Sequence, residues 1–138
     1  MSEKRGNKMK DVIIIITILI IVMGGALLIQ NFLNNGTDKL VSKLEVLKED
    51  IEQKNVTVSQ DELNKKTDEI YTQWEEINPK WSTVVLHDEI DLIDMALIRM
   101  KAKIKTENIK ESMEDIDTSI FLLKHIKEKE KTSLKNIF

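Results

Sequence analysis

The sequence predicts an all-α protein: one N-terminal transmembrane helix followed by an antiparallel bundle of about three to four helices. Three observations carry that prediction. Residues 12–29 form an apolar run without a charge. After residue 60 the apolar residues recur at steps of 3 and 4, the spacing of one helix face, and the alternation that marks strands is missing. One proline and four glycines in 138 residues leave little turn punctuation.

The run from Val12 to Ile29 reads VIIIITILIIVMGGALLI, with Thr17 its one hydroxyl. Continued through Leu33 it spans about 22 residues, roughly 33 Å of helix at 1.5 Å per residue, enough to cross a hydrocarbon core of about 30 Å. A helix apolar on every side would need protein all around it to exist in water, more than the rest of this chain supplies. Lys4, Arg5, Lys8 and Lys10 precede the run, whereas Gln30, Asn31, Asn34 and Asn35 follow it. The positive-inside rule therefore assigns residues 1–11 to the cytoplasm, 12–33 to membrane lipid and 34–138 to the extracytoplasmic side. Gly24-Gly25-Ala26 offers the small residues of a signal-peptide cleavage site. Leu27, Leu28 and Ile29 nevertheless continue the apolar run where a mature chain would turn polar, so an uncleaved signal-anchor is expected.

Asn34-Asn35-Gly36-Thr37 then separates anchor from domain, either as a loop or as a local loosening of one long helix. A first domain helix is expected from Thr37 or Asp38 to about Lys54, striped by Leu40, Leu44, Leu47 and Ile51. Asn55-Val56-Thr57-Val58 breaks the pattern. Ser59 and Glu62 make a capping box, with Val58 and Leu63 at the positions of a hydrophobic staple. The second helix, from about Gln60 to Ile77, carries Leu63, Thr67, Ile70, Trp74 and Ile77. Asn78-Pro79 is expected to end it and start the third, with a kinked continuous helix as the alternative. That third helix, Pro79 to about Lys105, is striped by Leu86, Ile90, Ile93, Leu97, Met100 and Ile104, widened by Trp81, Val84 and Val85. Thr106 is the candidate cap of a fourth, about Glu107 to Lys135. Its stripe is Ile109, Met113, Ile116, Ile120 and Leu123, widened by Phe121, Leu122 and Ile126. Single helices of this kind are marginal in water, so the stripes must face one another. The breaks favour an antiparallel bundle over a long two-stranded coiled coil, whose heptads would run uninterrupted.

Composition narrows the chemistry. Without cysteine there is no disulfide, thiolate nucleophile or cysteine metal site. Residues 37–138 carry 17 basic and 22 acidic side chains, which argues against nucleic acid as a partner. No glycine-rich phosphate loop, nucleophile elbow or Ser–His–Asp set is evident, so neither enzymatic activity nor a cofactor is expected. His87, Asp91 and Asp94 share a helix face at i, i+4 and i+7 and are weak candidates for a metal site. A polar shoulder beside the apolar stripe explains them more simply. Trp74 and Trp81, seven apart around the Asn-Pro dipeptide, suit helix-junction packing or a contact for a partner. Leu134, Ile137 and Phe138 give the C-terminus an apolar end, and His125 precedes a solvated run of alternating lysine and glutamate.

The order of these features resembles the bacterial family called domain of unknown function 4363. The matching features are the N-terminal hydrophobic segment, Trp74 and Trp81 around a short break, and His87-Asp88-Glu89-Ile90-Asp91. To these are added a helix containing Arg99 and the ending Ser133-Leu134-Lys135-Asn136-Ile137-Phe138. The resemblance implies a membrane-anchored helical protein. It brings no activity, cofactor or substrate, and marks His87, Asp91 and the C-terminal tail as a structural or partner-binding signature.

The functional expectation is an interaction module, held to the membrane by residues 12–33, that binds another membrane or envelope protein. Trp74, Trp81, His87, Asp91, Leu134, Ile137 and Phe138 are the candidate contacts. A ligand- or metal-sensing bundle and a division-type coiled-coil scaffold are the alternatives.

Overall fold

A computed structural model describes residues 2–53 and 58–137, with the backbone alone at 2–5, 134 and 137. Four helices account for nearly all of them: α1 (Ser2–Glu52), α2 (Gln60–Trp81), α3 (His87–Lys105) and α4 (Ile109–Ile137).

The first is a single rod of 51 residues, about 77 Å at 1.5 Å per residue. Asn34-Asn35-Gly36-Thr37 is neither loop nor bend but part of it. The reason is visible in the burial. Leu33, Thr37, Leu40, Leu44 and Leu47 keep the 4-3-4-3 rhythm through the polar cluster, and all five are buried. The bundle's core stripe thus begins before the apolar run has ended. Residue 33 is the last of the expected span and the first of the core.

Ser59 caps α2: its hydroxyl accepts the amide of Glu62 at 3.2 Å. The returning half of the box is replaced by a Glu62–Lys66 ion pair at 3.4 Å. Contrary to the expected break, α2 continues through Asn78-Pro79 to Trp81. Pro79 falls in the last turn, where its missing amide costs one bond, and Trp81 extends the buried series Leu63, Thr67, Ile70 and Trp74. The break comes instead at residues 82–86, and α3 begins at His87 rather than Pro79. Leu86, expected in the α3 stripe, is its N-cap and is 64% exposed.

Thr106 is not the cap of α4 but closes α3. The Asn108 amide donates to the Lys103 carbonyl and the Glu107 amide to that of Ile104, the bond pair of a Schellman ending. Glu107 adopts φ 62°, the left-handed position usually filled by glycine. Asp88 and Glu89 at the start of α3, with Lys103 and Lys105 at its end, match the helix dipole.

Each helix packs on the next and α4 returns to α1, with no diagonal contact among the described residues. Ion pairs fix the antiparallel register. Lys48, Lys124 and Lys127 meet Asp117, Glu45 and Asp38 across α1 and α4. Lys101 meets Asp68 across α2 and α3, and Lys129 meets Glu89 across α3 and α4. The result is an up-down-up-down four-helix bundle. Its near end, toward the apolar part of α1, holds the α2–α3 turn and the last turns of α4. Phe121, expected to widen the α4 core face, lies outside it at 67% exposure, stacked on His125 at 6.0 Å.

Candidate functional site

The near end is organised by two tryptophans on one side of α2. Trp74 and Trp81 are fully buried, their rings 5.9 Å apart and edge-on at 89°. The Trp74 indole N–H donates to Asp94 at 3.0 Å. Trp81 lies against the α1 backbone at Gly36, where an added Cβ would stand 3.0 Å from its ring. Glycine at 36 thus serves close approach, not backbone freedom. Neither the Trp81 indole N–H nor the Thr37 hydroxyl has a hydrogen-bond partner among the described residues, though both are buried.

This arrangement separates the candidates the sequence grouped together. Asp94 is bound to Trp74, whereas His87 and Asp91 are exposed on the outer surface of α3. No cluster of three potential metal-ligating side chains occurs among the described residues. Trp74 and Trp81 serve as core, and neither is presented to solvent. Leu134 and Ile137 sit on the last turns of α4, but their side chains, like the whole of Phe138, lie outside the described residues.

Two features escaped sequence reasoning. One is an ion cluster between α3 and α4, where the buried Asp115 receives Arg99 Nε at 2.9 Å and Lys103 Nζ at 2.7 Å, one on each carboxylate oxygen. Burial pushes the carboxyl's pKa up, but the close Lys103 ammonium, an ion pair that leaves Oδ2 without a well-aligned hydrogen bond, and the donating Arg99 outweigh it and hold the group below the ordinary aspartate value. The signal was weak: Asp115 precedes the stripe residue Ile116, and only the packing of α3 shows that this shoulder is enclosed. The other is a set of apolar side chains facing outward. Leu92, Met95 and Ile98, at steps of three, are 45–48% exposed on the outer face of α3. Their spacing is legible in the sequence, beside the core stripe of Ile90, Ile93 and Leu97.

Over its most apolar window α1 has no protein around it: that window has mean hydropathy 3.2 and is 0% buried. It is the one helix among the described residues long and apolar enough to cross a membrane, and it lies near the N-terminus, as a membrane anchor or a signal sequence does. Neither the curated proteins nor the solved structures include a match to this chain. The profile of a family described as "Domain of unknown function (DUF4363)" matches residues 27–137, the last turns of the apolar stretch and the whole bundle, and the chain belongs to that family.

Proposed function

We propose that the protein is a single-pass membrane module, with residues 1–11 in the cytoplasm and the bundle outside, that binds another membrane or envelope protein. One observation carries the anchored part of this reading. The helix that is bare of protein over residues 12–24 runs unbroken into the core at Leu33 and Leu40. A bundle built on the anchor's own helix is held at a fixed height and tilt relative to the bilayer, which concentrates its surface beside a membrane partner. The four basic residues ahead of the span, against uncharged Gln30, Asn31, Asn34 and Asn35 after it, support the orientation. The outward Leu92, Met95 and Ile98 of α3 and Phe121 of α4 supply apolar contact area that the fold itself leaves uncovered.

A photocrosslinker placed at Met95 of the full chain in native membranes tests the binding step. One discrete adduct, lost when Leu92 and Ile98 are changed to lysine, is the expected result. Free monomer alone, or an adduct indifferent to those changes, would overturn it.

A further inference from the structure

We propose that the α2–α3 turn, residues 82–86, is a second membrane contact, resting in the interface of the leaflet from which α1 emerges and inserting Leu86 toward the lipid. The inference builds on the anchored reading of α1 and adds a surface to it.

Depth is set by α1 itself. Lys10 and Asp11 end the charged N-terminus, and a core of about 30 Å holds about 20 helical residues. Counted from Val12, the hydrocarbon ends near Asn31. A cleft of about 540 Å³ has Leu28, Ile29 and Phe32 on its α1 wall and Pro79, Lys80, Thr83 and Val84 on the other, the long Lys80 stem being able to carry its ammonium to the water side of the interface. The turn therefore stands opposite the last residues of the span. Wherever lipid covers Leu28 and Ile29, it also reaches the turn.

The composition and bonding of the turn suit that position. Ser82-Thr83-Val84-Val85-Leu86 contains no charge. Val85 plugs the bundle at 5% exposure, while Leu86 projects at 64%. The amides of Ser82, Thr83, Val84 and Val85 donate to carbonyls of Asn78, Lys80 and Trp81. The hydroxyls of Ser82 and Thr83 likewise donate to the Asn78 and Lys80 carbonyls, at 2.9 and 2.7 Å. Four of the five amides of the turn are thus satisfied internally, Leu86 being the exception, which lowers the cost of entering a medium poor in water. The turn at the opposite end, Lys105-Thr106-Glu107-Asn108, is charged and exposed throughout. Of these two turns, only the one that faces the bilayer is free of charge. His87 and Asp88 follow at once, which limits insertion to the turn.

The absence of cysteine allows a direct test. Single nitroxide labels are placed at Leu86→Cys, Ile16→Cys and Ile98→Cys of the full chain in phosphatidylcholine vesicles. Their relaxation is then compared with oxygen and with a polar nickel chelate. The Ile16 label should lie deep and the Ile98 label in water. At residue 86, oxygen should dominate over nickel, giving a depth near the lipid carbonyls. Nickel accessibility at 86 equal to that at 98, with 16 still deep, overturns the second contact and leaves the anchor standing. An aqueous label at 16 overturns both. Shielding of residue 86 from both reagents means that a second copy covers the turn, and rejects lipid as its occupant.

Discussion

The two halves of α1 share one backbone and face different surroundings. Over residues 12–24 every side chain is exposed and, Thr17 aside, none is polar. Over residues 33–47 only a stripe is buried, while Asp38, Lys39, Lys43 and Glu45 stay outside. Total hydrophobicity does not distinguish a buried helix from a lipid-exposed one, but its distribution around the helix does. Apolar on all sides suits a membrane anchor or a signal sequence; apolar on one side means neighbouring helices.

The largest effect should come from breaking the first half alone. Ile16→Arg together with Ile20→Arg places two charges in mid-span, at about 2.5–3.5 kcal/mol each. Retention in carbonate-washed membranes should be lost, while the thermal unfolding of the bundle is unchanged. Trp81→Ala should do the converse. It empties the fully buried junction between α2 and Gly36, costing about 3–5 kcal/mol as a lower urea midpoint, with membrane retention intact. A variant that moved both readouts together would show that anchor and bundle are not independent.

Asp115→Ala should cost about 2 kcal/mol, the worth of hydrogen bonds to charged partners, since the half-exposed Arg99 and nearby Lys103 can return to water. The same group sets an acid limit. Its pKa is depressed in the folded state, so its contribution is complete above the ordinary aspartate range and is lost as pH falls below about 4. Asp115→Asn should flatten that part of a urea-midpoint profile between acid and neutral pH.

The smallest effect sharpens the comparison most. Gly24 and Gly36 lie on the same helix, and alanine improves helix propensity at either by about 1 kcal/mol. At Gly24 a Cβ meets nothing within 4 Å, but at Gly36 it meets Trp81 at 3.0 Å. The indole is fully buried and would have to shift by a few tenths of an ångström within the core, so overpacking of about 1–3 kcal/mol should outweigh the gain. Gly36→Ala should lower the melting temperature of the bundle slightly, and Gly24→Ala, whose gain falls outside the packed bundle, should leave that temperature unmoved.

Much of the bundle was legible because helix periodicity is a local property. Leu40, Leu44 and Leu47, then Ile90 to Ile104, announced their faces without reference to partners. The Ser59 cap was equally local. The misplaced boundaries share another cause. Asn34-Asn35-Gly36-Thr37 and Asn78-Pro79 look like breaks by propensity, yet both stretches stay helical where Thr37 and Trp81 extend a buried stripe. Tertiary packing overrode a weak local preference. Leu33 to Leu40 already carried the 4-3 rhythm, so the continuity of α1 could have been read by extending the stripe backward.

By itself the sequence determined that a long apolar helix comes first and that amphipathic helices follow. Both facts depend on side-chain order along a single chain. Only the tertiary structure decided that Trp74 and Trp81 are core, that Asp94 and Asp115 are engaged, and that Leu86 and Phe121 face outward. Those assignments depend on which neighbour stands opposite a given flank. A residue at the shoulder of a stripe is enclosed or free according to the helix packed beside it, and no spacing within one helix contains that information.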